Sequence, residues 1–237
     1  MGSQISELIN DGHMEGAVQL ITPTLLSPTP FTTLDRIGKQ IGSSSLDVSE
    51  PFYNLLASEK YMGSWVIIAS ALHCHLPTDL VRTLANCRDF IIQADVWYAT
   101  DIFGERVAGP ALLGDFHPAL QVLSAWREDP NRWVRRCVGV ALHLWAKRTC
   151  GNAEMVDRAR ELFYLIEPVF EEKNQDAVKG IGWGLKTMGR YYPDLAFVWL
   201  KEQINRLHRQ PRPLMLRKAI TYLPPEQKFA ITRSQSA

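Results

Sequence analysis

The sequence predicts an all-α chain built of stacked helical pairs. Three observations predict it. Apolar residues recur at three- and four-residue spacing almost throughout, without the sustained period-two alternation of a half-buried strand. About a dozen helical segments of modest length follow one another, separated by Pro, Gly, Ser and Asn. A pattern of an apolar residue, one or two cations, then small and apolar residues also recurs. It reads Val134-Arg135-Arg136-Cys137-Val138, Val178-Lys179-Gly180-Ile181-Gly182 and Leu216-Arg217-Lys218-Ala219-Ile220, at offsets of 44 and 38 residues. Those offsets fall within or close to the period of HEAT-like helical pairs, so the expected architecture is a right-handed α-solenoid of HEAT-like repeats, a single domain over 1–237.

The elements follow in order. Residues 15–26 read as a first amphipathic helix, and Ser27-Pro28-Thr29-Pro30 separates it from a second over 32–41. Gly42-Ser43-Ser44-Ser45 precedes helices over 46–58, 62–76 and 78–93, with Pro77-Thr78 ending one and capping the next. A helix over 94–107 carries Trp97 and Asp101, and Gly109-Pro110 and Gly114 loosen the chain beyond it. His117-Pro118 opens a helix to Trp126, and Asp129-Pro130-Asn131 forms a turn that caps a long helix over 132–148. Segments 154–171 (interrupted at Pro168), 175–191, 194–207, 214–223 and 226–231 complete the chain.

Composition excludes several classes. The apolar share of 46% is that of a globular protein with a sizeable core. The longest strongly apolar run, near 65–76, falls short of the roughly 20 residues a membrane span needs, and no charged-then-apolar leader is present, so a cytoplasmic protein is expected. Cys74, Cys87, Cys137 and Cys150 lie in apolar stretches without metal-ligand spacing; they read as small core residues, and no metal or cofactor is expected. The net charge of +1 conceals an asymmetry. Residues 1–118 hold 6 Lys+Arg against 13 Asp+Glu, and the remainder 20 against 12. A basic half of this kind is a hint of a polyanionic partner, although a solvated basic face is the commoner cause of any one charge cluster.

Trp97 and Asp101 stand four residues apart on a helix, so the indole and the carboxylate share a face. Stacking of equivalent helices would line up Arg135, Lys179 and Arg217 as one basic row. Taken singly, each residue has a plainer reading: Trp97 and Trp183 as core, Asp101 as a cap or a partner of Arg106, Arg135-Arg136 as an exposed pair. Gly180-x-Gly182-x-Gly184 follows no strand and so is no dinucleotide fingerprint; it allows close packing of helices or close approach of a ligand.

The ordered set Trp97-x-x-x-Asp101, His117-Pro118-x-Leu120, Trp133-x-x-Arg136, Ile181-Gly182-Trp183, Pro193-Asp194 and Arg217-Lys218-Ala219-Ile220 resembles the AlkD family of alkylpurine DNA glycosylases. The resemblance covers residues 94–222, with 1–93 as divergent N-terminal helices. It implies a solenoid that wraps duplex DNA and hydrolyses the N-glycosidic bond of cationic N3- or N7-alkylated purines. It implies Asp101 as catalytic carboxylate, Trp97 and Trp183 as aromatic walls against the damaged nucleotide, and Arg136 as the backbone anchor. Arg135, Lys179, Arg217 and Lys218 would add DNA contacts. The partner expected is double-stranded DNA with alkylated bases, met by a monomer, cytoplasmic and nucleoid-associated in a prokaryote. Two other functions fit the same helices: a noncatalytic binder of branched or damaged DNA, and a protein-interaction scaffold whose basic surface meets an acidic partner.

Overall fold

A computed structural model describes residues 1–234. The described residues form α-helices joined by short π and 3-10 turns, and no strand occurs among them. The contacts divide the chain into two compact units, Met1–Gly114 and Asp115–Ala237. Trp97 and Asp101 belong to the first; Trp183 and the cations of the repeated motif belong to the second.

The first unit contains α1 (Gly2–Asn10), α2 (Met14–Leu26), α3 (Phe31–Ile41), α4 (Leu46–Ser58), α5 (Met62–His75), α6 (Leu80–Ala94), α7 (Trp97–Phe103) and α8 (Gly109–Gly114). Odd-numbered α1, α3, α5 and α7 stack in one layer and α2, α4 and α6 in the other. Helix α5, buried on nearly every side, is the centre: Trp65, Val66, Ile67, Ile68 and Leu72 are all inaccessible or nearly so. It lies close to α3 because Gly38 and Gly42 have no side chain. A Cβ on either would come within 2.6 Å of a carbonyl oxygen of α5, Ile67 O or Ala71 O.

The second unit contains α9 (Phe116–Trp126), α10 (Arg132–Thr149), α11 (Val156–Ile166), α12 (Gln175–Tyr191), α13 (Pro193–Lys201), α14 (Pro213–Ala219) and α15 (Pro225–Ser234). Here α10, α12 and α14 form one layer and α9, α11, α13 and α15 the other. The three copies of the repeated motif therefore lie on three adjacent helices of one layer, as the offsets required. The seam between α10 and α12 is closed backbone to backbone. Gly139 meets Gly180, and Gly184 meets Gly139, so the Gly-x-Gly-x-Gly run serves helix packing. Asn131 and Asn174 cap α10 and α12, their side chains accepting from Trp133 N at 2.8 Å and from Asp176 N at 2.9 Å.

Several sequence expectations need correction. Helix α1 precedes the segment taken as first; Ile5 and Ile9 bury its one apolar edge. Helix α6 starts at Leu80, capped by Asp79, whose carboxylate accepts from Arg82 N, so Thr78 is not the cap. The helix bearing Trp97 does not loosen at Gly109-Pro110. It passes through a π turn at Gly104–Ala108 and continues as α8, the wider turn making room for Pro110. Trp133 is a core residue with the Arg132 guanidinium 4.8 Å over its ring. Cys150 is exposed, occupying the left-handed cap of α10 at φ 49°, while Cys87 and Cys137 are buried as expected.

Candidate nucleic-acid interface

In the first unit the local frame is set at the turn between α6 and α7. Asp95 ends α6 in the left-handed conformation, Val96 is extended, and α7 begins at Trp97. The indole of Trp97 is 56% exposed, packed edge-on against Tyr98 at 5.8 Å between centroids. Asp101, one turn on, is half-buried. Behind them the π turn is fastened. Arg106 donates through Nε to Asp35 at 2.7 Å and through Nη2 at 3.3 Å, and Ser70 Oγ donates to the same carboxylate at 2.7 Å. His73 Nδ1 donates to the Arg106 carbonyl at 3.0 Å. Burial pushes the Asp35 carboxyl up, but the hydrogen bonds from Arg106 and Ser70 and the charges of Arg106 and Lys39 outweigh it and hold it below the usual range. Arg106 is thus engaged by Asp35, on α3.

In the second unit Trp183 sits half-buried on α12 with its ring stacked on His143 of α10, 4.0 Å between centroids at 26°. Sequence reasoning missed His143. Thr187 donates its hydroxyl proton to the Trp183 carbonyl at 3.1 Å, so its oxygen must accept from His143 Nδ1–H at 2.7 Å. Burial, and then the nearby Lys147, pull the imidazole down to about 4. A neutral ring in a defined tautomer therefore backs the indole near pH 7, held by the residue that also grips the Trp183 backbone.

Beside this pair the cations gather. Arg136 is only 7% exposed; its stem lies along Gly180, and Nη1 donates to the Asp176 carbonyl at 3.1 Å. Lys218 runs over Gly182, where a Cβ would come within 2.7 Å of its side chain. Burial, followed by the charges of Lys186, Arg136, Arg217 and Lys179, depresses its ammonium below the ordinary lysine range. The structure thus brings Arg136, Lys179, Arg217 and Lys218 together and adds Lys186. Arg135 differs: Nε and Nη2 hold Glu172 at 2.6 and 3.3 Å, and Nη1 donates to the Asp129 and Pro130 carbonyls. Its partner Glu172 is pushed up by burial but held low on balance by Arg135 and by backbone N–H donors. Lys179 lies 3.8 Å from Asp176, an exposed pair worth little.

The second unit thus clusters cations beside an indole stiffened by a histidine, and the first sets an exposed indole one helical turn from a carboxylate. A sequence profile of the DNA alkylation repair enzyme family matches residues 59–223, and the chain belongs to that family. Its role accordingly lies in the repair of DNA alkylation. No curated protein and no solved structure matches the chain. Among the described residues, no helix is long and apolar enough to cross a membrane.

Proposed function

We propose that the protein is a monofunctional DNA glycosylase that hydrolyses the N-glycosidic bond of cationic N3- or N7-alkylated purines in duplex DNA. The observation that carries this reading is the exposed Trp97 one helical turn from Asp101. An indole left in water beside a carboxylate suits a ligand that is apolar on one face and positive at its centre. Alkylation makes the purine a cation, so the bond to C1′ breaks with its electron pair passing to the base, which leaves neutral. The sugar left behind has oxocarbenium character. Asp101 stabilises that charge and orients the water, which adds to C1′ as its proton passes to the carboxylate. No general acid is required. By the family resemblance Trp97 and Trp183 act as aromatic walls, the latter braced by His143, and Arg136, with Lys218 beside it, holds the DNA backbone. Arg217 and Lys179 add phosphate contacts. Arg135 serves by fixing the Asp129–Asn131 turn from which α10 starts.

The test is single-turnover release of 7-methylguanine from a duplex, wild type against Asp101→Asn. The wild type is expected to release base well above the spontaneous rate, and the variant to lose about 10²–10³-fold, the scale for removing one electrostatic stabiliser. Duplex binding without release by the wild type would overturn the glycosylase and leave a noncatalytic DNA-binding member of the family.

A further inference from the structure

The face of α12 that carries Trp183 continues past it. Lys179, Trp183, Lys186 and Arg190 follow at intervals of four, three and four residues and so share one side of the helix. Beyond Lys186, in the turn after α14, stands Tyr222, 45% exposed. Lys186 Nζ is 5.1 Å from its ring centroid and the Arg190 guanidinium carbon 5.3 Å. Arg190 also lies 5.6 Å over Tyr191. Two like charges on one ring repel, and the negative ring face is what holds both. The acids of α12 and its neighbours are taken elsewhere, Asp176 by Arg132 and Lys179 and Glu172 by Arg135. Among the described residues no carboxylate reaches ion-pairing distance of Lys186, Arg190, Arg217 or Lys218. Lys186 also bears on the half-buried Lys218, as do the like charges of Arg136, Arg217 and Lys179. Such a patch is relieved by a polyanion.

We propose that Lys186, Arg190 and Tyr222 form a phosphodiester clamp, distinct from the Arg136 contact, which grips the backbone of duplex DNA beyond the nucleotide at Trp183. The clamp rests on the reading of this layer as a DNA surface. From Lys179 to Arg190 the helix advances about 16 Å at 1.5 Å per residue. Phosphates of one strand rise roughly 3.4 Å apart along the duplex axis, so the two ends of the stripe are far enough apart to meet different ones. Tyr222 orders the two cations before the strand arrives, which lowers the entropy lost on binding.

The experiment is the salt dependence of affinity for a short undamaged duplex. It compares the wild type, the double variant Lys186→Gln/Arg190→Gln, Tyr222→Leu, and Lys201→Gln as a single-charge control at the exposed last residue of α13, in the other layer. The double variant is expected to flatten the slope of log affinity against log salt by about 1.8, or 0.9 for each phosphate released. Tyr222→Leu should keep the slope and weaken binding several-fold, and Lys201→Gln should match the wild type. An unchanged slope in the double variant, or one flattened equally in Lys201→Gln, would overturn the clamp while leaving the DNA surface standing. Absence of salt-sensitive duplex binding by the wild type would remove the DNA reading itself, and the clamp with it.

Discussion

Gly139→Ala tests the seam on which the second unit depends. A Cβ at this position would lie 2.3 Å from Gly180 C, Gly180 O and Ile181 N, all backbone atoms that no rotamer change can move. To restore ordinary contact α10 and α12 must part by about 1 Å, and a gap of that size forfeits a quarter to a half of each dispersion contact along the seam. The cost belongs near the upper end for overpacked sites, about 3 kcal/mol. For a chain of this length that corresponds to a melting temperature lower by roughly 6–12 °C. The assay is thermal unfolding by circular dichroism, with Gly114→Ala alongside. Gly114 has nothing within 4 Å of a new Cβ and lies in a helix, so Ala there should stabilise by roughly 0.5 kcal/mol. A Gly139→Ala protein that melts within about 2 °C of the wild type would refute close approach of the two backbones.

Two further outcomes concern single side chains. Folding lowers the His143 imidazole from its ordinary value to about 4, so the unfolded chain binds the extra proton first. His143 therefore contributes stability that is present above about pH 6.5 and is lost as pH falls toward 4, roughly 3 kcal/mol in all. Urea titrations across that window should show His143→Gln with a shallower pH dependence, and equal slopes would refute the buried neutral ring. Arg135→Ala removes a partner of Glu172 from a pair whose side chains are only 17% and 10% exposed. It should cost about 3 kcal/mol of stability. Its effect on the salt slope of duplex binding should be smaller than that of Arg217→Ala; a larger effect would make Arg135 a direct phosphate contact.

The legible parts of the fold were those with local causes. The limits of α4 and α12 follow from periodicity bounded by Ser45 and by Asn174 with Pro193, and Asn131 announces α10. The stacking of α10, α12 and α14 was readable because a repeated motif requires equivalent packing. Helix α1 escaped because it is short and offers only Ile5 and Ile9 as an apolar pair. The π turns at Gly104–Ala108 and Glu202–Arg206 escaped because one extra residue barely disturbs a hydrophobic period. At the site, spacing joined Trp97 to Asp101, but no sequence rule says that Arg135 turns to Glu172, 37 residues away. His143 did leave a trace. It precedes Thr187 by 44 residues, the offset of the first two motifs, so two polar residues occupied matching places in apolar helices.

The π turn at Gly104–Ala108 bears on how this protein can change over time. An extra residue within a helix is ordinarily expelled into a loop, since it leaves carbonyls without their usual donors. Here it is retained because His73 serves the Arg106 carbonyl and Asp35 anchors the Arg106 side chain. One residue amounts to about 100° of rotation, so the phase of α7 is separate from that of α8. Substitutions in the buried face of α8, at Ala111 or Leu112, can therefore drift without turning Trp97 and Asp101 to a new direction. The face that carries Trp97 and Asp101 and the packing face of α8 are free to evolve at different rates, provided Asp35, His73 and Arg106 stay in place.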